Sequence, residues 1–101
     1  MHIHIDTTDD AERERTILLI RYWLHGHRTD IDSVQLSVAA VRDALGTRLS
    51  RCRLRTVLRR GQTIEVEEVQ SSFDLAVNRA LERGIRTIQR RLGITTRRYI
   101  G

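Results

Sequence analysis

The spacing of apolar and polar residues changes period several times along the chain, and each change predicts a new secondary-structure element. Residues 2–6 alternate, with Ile3 and Ile5 on one side and His2 and His4 on the other. A period of two residues is typical of a strand with one buried face. The chain is therefore predicted to begin with a short strand whose histidines face away from the core.

The next segment has helical spacing and predicts a first helix. Thr7 or Thr8 can cap its N-terminus, and the acidic residues that follow favour the positive end of the helix dipole. Gly26 predicts that this helix stops after Leu24. Its apolar stripe is predicted to consist of Ile17, Ile20, Leu24 and either Trp23 or Leu18.

Residues 33–38 fit two different elements. Apolar residues recur from Val34 with the spacing of a helix, but Val34, Leu36 and Val38 also alternate with polar residues, as in a strand. Periodicity alone leaves both interpretations open. A helix here would make residues 36–60 a helix-turn-helix candidate, with a basic second helix for the major groove of DNA.

The segment that follows favours the strand interpretation, because it has the pattern of a β-hairpin. Arginines at every second position before Gly61 are matched by alternating glutamates after it. A loop over residues 59–61, with Gly61 in the left-handed conformation, places Arg55 opposite Glu65, Arg53 opposite Glu67 and Leu54 opposite Val66. Cross-strand pairs of these kinds contribute roughly 0.2–1 kcal/mol each.

A loop shifted by one residue gives a second possible register for this hairpin. It would pair Arg55 with Glu67 and Leu58 with Ile64. Both registers retain the pairing of opposite charges, whereas a recognition helix over residues 48–60 would lose it. The sequence therefore predicts two strands here and leaves their register open.

The last predicted element is an amphipathic helix. Ser71 or Ser72 caps it, Asp74 follows Ser71 at capping-box spacing, and Gly93 ends it. Its apolar stripe is Phe73, Val77, Ala80, Leu81, Gly84, Ile85, Ile88 and Leu92. A stripe this wide needs a partner surface, and the predicted sheet offers one.

These elements predict an α+β fold of order βαβββα, a four-stranded sheet with both helices packed on one face. Residues 1–93 form a single domain, and residues 94–101 form a short basic tail. A length of 101 residues excludes a two-domain enzyme with a cleft between its domains. The absence of a signal-peptide pattern and of a long apolar run, together with the single Cys52, predicts a cytoplasmic protein that does not enter a membrane.

Charge is distributed unevenly along the sequence. The formal net charge is +5, and all 18 basic residues are arginine. Residues 48–60 and 75–101 each carry a net charge of +6, whereas residues 1–16 and 61–70 each carry −3. Genomic base composition is an alternative explanation for the use of arginine alone. Two basic blocks are typical of a protein that binds nucleic acid, and a solvated face is the alternative interpretation.

The most regular basic pattern lies on the last predicted helix. Arg79, Arg83, Arg86 and Arg90 recur at intervals of four, three and four residues. On a helix they form one line about 16 Å long that can follow a row of phosphates. Glu82 lies within reach of two of these arginines, so part of the line is also consistent with an ordinary ion-paired surface.

No other pattern indicates chemistry. His2 and His4, and His25 and His27, are spaced as pairs but lack fixed carboxylate or thiol partners, so no metal site and no cofactor are expected. Cys52 alternates into the predicted core, where it is expected to be inert. No catalytic motif is found, and Tyr22 and Trp23 are interpreted as core or boundary residues rather than as a base-stacking platform.

Four stretches of the sequence, in their order and spacing, resemble the family of ribosome hibernation-promoting factors, also described as ribosome-associated translation inhibitors and formerly as sigma-factor modulation proteins. The stretches are MHIHIDTTDD, IDSVQLSV, SRCRLRTVLRRGQTIEVEE and SSFDLAVNRALERGIRTIQRRLG. The last of them resembles the family's final helix, with its basic outer face. The resemblance extends over most of the chain.

The resemblance implies a domain similar to a double-stranded-RNA-binding domain, which sits on the small ribosomal subunit and holds off translation during stress. It implies contacts with ribosomal RNA from the exposed sides of both helices, and the positions that match on the last helix are Arg79, Arg83, Arg86 and Arg90. From charge and position we add further candidate RNA-binding residues beyond that line and on the first helix: Arg91, Arg97, Arg98, Arg13 and Arg21. The first helix departs from the family pattern, because its middle, TILLIRYWL, is unusually apolar. We expect the chain to resemble the short members of the family, and a monomer is the expected state.

Three functional hypotheses follow. The first is a non-enzymatic, ribosome-associated factor that binds RNA. The second is a protein-interaction domain that kept the fold without ribosome binding and uses the apolar first helix as its partner surface. The third is a DNA-binding helix-turn-helix regulator built on residues 36–60.

Overall fold

The computed structural model describes residues 1–93 and contains the predicted elements in the predicted order. They are β1 (His2–Asp6), α1 (Asp10–Leu24), a 3-10 helix (His25–His27), β2 (Ile31–Arg42), β3 (Arg48–Leu58), β4 (Thr63–Gln70) and α2 (Phe73–Arg91). The predicted α+β class and the βαβββα order are thereby confirmed. The predicted basic tail, with Arg97 and Arg98, lies outside the described residues.

The four strands form one mixed sheet in the order β1-β2-β3-β4. β1 runs parallel to β2, and the other two pairings are antiparallel. A parallel pair needs a long crossover connection, which α1 supplies between β1 and β2. α2 follows β4 and runs back over the sheet. Both helices contribute to the same core on one side of the sheet, as predicted.

The core consists of apolar side chains from alternate positions of every strand and from one face of each helix. Its fully buried members include Ile20 and Leu24 of α1, Leu36 of β2, Leu54 of β3 and Leu81 of α2. Residues at the intervening strand positions are polar and mostly exposed. One buried face and one polar face explain why the strands alternate in sequence.

The hairpin of β3 and β4 has the first of the two predicted registers. Arg55 pairs with Glu65, Arg53 with Glu67 and Leu54 with Val66. Gly61 has a φ of 89°, the left-handed conformation that the three-residue loop requires. The shifted register, with Arg55 opposite Glu67, is therefore wrong. The observed register keeps both ion pairs directly across the ladder.

The helix-turn-helix interpretation of residues 36–60 is also wrong. This segment forms the end of β2, a turn and β3, and the two strands pair continuously from Ser33 with Val57 to Arg42 with Arg48. Cross-strand pairing and the alternation of buried residues outweigh the helical spacing that starts at Val34.

The predicted cap of α1 is wrong, whereas Ser72, one of the two predicted caps of α2, is confirmed. Asp9, not Thr7 or Thr8, caps α1, because its carboxylate accepts a hydrogen bond from the Glu12 backbone N–H at 3.1 Å. Ser72 caps α2 by accepting from the backbone N–H of Leu75 at 3.2 Å. With this cap, Asp74 is not at the third helical position that a capping box requires. The predicted ends of the helices, at Leu24 and before Gly93, are confirmed within two residues.

The apolar stripe of α1 includes Trp23 and leaves Leu18 exposed. Trp23 packs against the core beside Ile20 and Leu24, whereas the side chain of Leu18 is 65% exposed. Tyr22 is 78% exposed, so its interpretation as a core or boundary residue is wrong. Leu18 and Tyr22 are four residues apart, which at about 100° per residue places both side chains on the outer face of the helix.

Candidate nucleic-acid interface

α2 presents the predicted arginine line on its outer face. Val77, Leu81 and Ile88 are buried beneath the helix, while Arg79, Arg83, Arg86 and Arg90 are all exposed. The 3.6-residue period separates these two sets of side chains. The structure therefore confirms the exposure and alignment of the line, although its arginines differ in what they contact.

Arg83 is bound to the neighbouring strand β4. Its guanidinium forms an ion pair with the Glu68 carboxylate and donates to the backbone oxygen of Glu67 at 2.9 Å. The Glu68 side chain is only 13% exposed. The hydrogen bond from Arg83 is the main reason that the pKa of Glu68 lies below its ordinary value, assisted by a second from Gln70 and by the charge of Arg79.

The other arginines of the line are less constrained. Arg86 pairs with Glu82 at 2.7 Å, the ordinary helical ion pair that its spacing allows. Arg90 donates to the Thr87 hydroxyl at 3.2 Å. Within residues 1–93, Arg79, Arg90 and Arg91 form no ion pair. These three guanidinium groups can therefore bind phosphates without the loss of an ion pair within the described part of the chain.

The two predicted arginines of α1 lie at opposite ends of that helix. Arg13 is half-buried beside the first turn, where it pairs with Asp10 and donates to the backbone oxygen of Thr7 at 2.6 Å. Arg21 is exposed in the last turn. Arg13 thus supports the entry to the helix, and Arg21 joins other charges at its end.

A cluster of basic residues lies at the end of the molecule where α1 finishes, and this cluster was not predicted from the sequence. α1 and α2 both end there, and β2 and β4 begin there. The members of the group are Arg21, Arg28, Arg59, Arg60, Arg90 and Arg91. They are spread over the sequence, so only the topology brings them together; we call them the basic end.

The open face of the sheet is different, because its charges are balanced. Arg53 pairs with Glu67 at 2.9 Å and Arg55 with Glu65 at 3.7 Å across β3 and β4. A concave region of about 500 Å³ on this face is also lined by His4. Its arginines already have acidic partners, so this face is less suited to a polyanion than the helical side.

The remaining candidate residues form no reactive group. Cys52 is fully buried, and burial together with the charge of Glu68 raises the pKa of its thiol to about 12. Among residues 1–93, no three histidine, cysteine or acidic side chains are placed to hold a metal ion. In the same range, no helix is long and apolar enough to cross a membrane.

Comparison with solved structures places this architecture among known proteins. The chain superposes on a ribosomal subunit interface protein from Coxiella burnetii with a TM-score of 0.66 and 18% sequence identity, over 94% of this chain and 100% of that chain. The fold is that of a ribosomal subunit interface protein. This confirms, at the level of fold, the resemblance predicted from the sequence. The sequence matches no protein-family model and no curated protein.

Proposed function

We propose that this protein is a non-enzymatic, ribosome-associated factor of the cytoplasm that binds ribosomal RNA of the small subunit and holds off translation under stress. The proposal is supported by two independent features: a fold shared with a ribosomal subunit interface protein, and a helical side rich in exposed arginines. Neither feature suggests a reaction. The proposed activity is the occupation of a site on the small ribosomal subunit rather than catalysis.

The observation that carries the proposal is the set of arginines on α2 without acidic partners. Arg79, Arg90 and Arg91 form no ion pair within residues 1–93. Arginine guanidinium groups bind phosphate oxygens through paired, charge-assisted hydrogen bonds. Phosphates of a folded RNA can therefore replace water at these side chains without breaking the fold.

Charge reversal tests the proposal on ribosomes directly. The double variant Arg79→Glu with Arg90→Glu is expected to lose most of its co-sedimentation with small ribosomal subunits at low salt. Arg83 is unsuitable for this test, because reversing it also breaks its pair with Glu68.

The matched control reverses the charge of two arginines at the end of the molecule opposite the basic end. Arg42 and Arg48 lie beside the turn between β2 and β3, so Arg42→Glu with Arg48→Glu changes the net charge equally. This control is expected to pellet like the wild type. Equal loss in both double variants would indicate an effect of net charge alone and would contradict a defined interface on α2.

The second candidate function is that of a protein-interaction domain, and exposed apolar residues on α1 favour it. Leu18 and Tyr22 project from the outer face of the helix. Under this hypothesis, light scattering shows a mass that rises with concentration, and the protein does not pellet with ribosomes. Leu18→Glu then restores the monomer mass, whereas Leu45→Glu, in the exposed turn after β2, leaves the mass unchanged.

A further inference from the structure

A cleft opens at the basic end, beside the last turn of α1. Its volume is about 440 Å³, and it is lined by Met1, Arg21, His25, Arg28, Thr29 and Arg59. Three arginines from three separate segments of the chain thus line one space, and no acidic residue among residues 1–93 lines it. We infer that this cleft is a binding site for a phosphate group.

Arg28 is already held in place. Its Nη1 atom donates to the backbone oxygen of His25 at 2.7 Å and lies 3.4 Å from Nε2 of the same residue. A long side chain that is fixed before binding loses less conformational entropy when a ligand arrives. The remaining N–H groups of Arg28 are therefore ready to donate to an anion in the cleft.

The positive charge of the cleft is not neutralised by the protein. Within residues 1–93, Arg21, Arg28 and Arg59 form no ion pair. Asp30, two residues after Arg28, is not one of the residues that line the cleft, and its backbone oxygen accepts from the Arg59 N–H at 2.9 Å. Mutual repulsion among the three cations would be relieved by a bound anion.

The chemistry of the lining residues favours a multiply charged tetrahedral oxyanion such as phosphate. Each guanidinium presents a planar fork that matches two oxygens of a phosphate, and three forks can contact one tetrahedral group from different sides. Such a group occurs both in the backbone of RNA and in free nucleotides. The inference does not depend on ribosome binding, because it concerns the isolated protein.

Titration with pyrophosphate tests the site. The arginine side-chain N–H signals of the full chain are followed by NMR at constant ionic strength, with chloride as the balancing anion. Saturable shifts are expected, and Arg28→Gln and Arg59→Gln are each expected to weaken binding by about tenfold, as for the loss of one charge-assisted hydrogen bond.

Arg48→Gln is the matched control, since Arg48 is exposed at the opposite end of the molecule. It should bind pyrophosphate like the wild type. Shifts that do not saturate, or an equal loss of affinity in this control, would overturn the site, because either result is that of a diffuse ion atmosphere.

Competition identifies the source of the phosphate. Displacement of pyrophosphate by ATP alone assigns the site to free nucleotides, and displacement by a short RNA with a 5′-hydroxyl end assigns it to backbone phosphates. Displacement by neither overturns the proposal. Co-sedimentation with ribosomes is measured separately, so a failure of this site and a failure of the proposed function are distinguishable.

Discussion

Gly84 shows how closely α2 approaches the sheet. A Cβ atom added at this position would lie 2.7 Å from Cδ2 of Leu54, and both residues are buried. No ordinary carbon contact is that short, so Leu54 or the helix would have to move. The absence of a side chain at Gly84 therefore lets α2 lie directly on β3.

Gly84→Ala is expected to destabilise the protein despite the better helix propensity of alanine. Overpacking in a core costs about 1–3 kcal/mol, and the gain in propensity recovers about 1 kcal/mol. Urea denaturation is expected to give a net loss of about 1 kcal/mol in the free energy of unfolding.

The same substitution in a Leu54→Ala background isolates the cause. With the Leu54 side chain shortened, Gly84→Ala is expected to be neutral or stabilising, and the double-mutant cycle then yields a coupling free energy above zero. An equal loss in both backgrounds would show that the close approach to Leu54 is not responsible.

Glu68 links stability to pH through its contact with Arg83. The pKa of this carboxyl is lowered in the folded state, so the charged form stabilises the fold above the ordinary pKa of 4.5. That contribution is lost as the pH falls through the folded-state pKa. Glu68→Gln should therefore be less stable than the wild type at neutral pH. This difference in the free energy of unfolding should shrink once the pH drops below the pKa that Glu68 has in the unfolded chain.

Chemical denaturation at a series of pH values measures this difference. Glu65→Gln, which alters an exposed glutamate of the same strand, is the control and should differ little from the wild type at any pH. A stability difference between wild type and Glu68→Gln that stays constant down to pH 2 would contradict the assigned role of the ion pair.

Individual elements can be tested through their caps. Ser72→Ala removes the hydroxyl that accepts from the Leu75 N–H and is expected to lower the free energy of unfolding by about 1 kcal/mol. Ser71→Ala, one residue earlier, should change it by less than about 0.5 kcal/mol. If thermal or urea denaturation gives the opposite order, Ser71 is the cap.

The order of elements could be predicted from the sequence because each carries its own period. The hairpin was also accessible, but its register was not, because Arg55 can face either Glu65 or Glu67 with opposite charges paired; the structure has Glu65 opposite Arg55. The cap of α1 was displaced by one or two residues, because Thr7, Thr8 and Asp9 are all competent to cap a helix.

The contacts of the candidate site were harder to predict. Arg83 looked like any member of the α2 line, because its partner Glu68 lies 15 positions earlier and on another element. The cleft at the basic end depends on Arg21, Arg28 and Arg59. Two features of the fold bring these residues together: the pairing of β2 with β3, and α1, which runs back to the end of the sheet where β2 begins.

At the scale of the whole molecule, the fold separates charge along the direction of the strands. Counting residues 1–93, the basic end holds six arginines and two acidic residues, Asp30 and Asp32. The opposite end, where the helices begin, is of mixed charge: it holds the acidic first turn of α1 with Asp43 and Asp74, and also Arg13, Arg42 and Arg48. A molecule with this distribution approaches a polyanion with its basic end and helical side foremost.

Co-sedimentation of the purified wild-type protein with small ribosomal subunits, at low and at moderate salt, tests the central claim most directly. We expect saturable pelleting at low salt. Three phosphate contacts correspond to a slope of about −2 to −3 when the logarithm of the association constant is plotted against that of the salt concentration. Absence of pelleting at low salt, or pelleting that is insensitive to salt, would contradict a ribosome-associated factor that binds through its arginines.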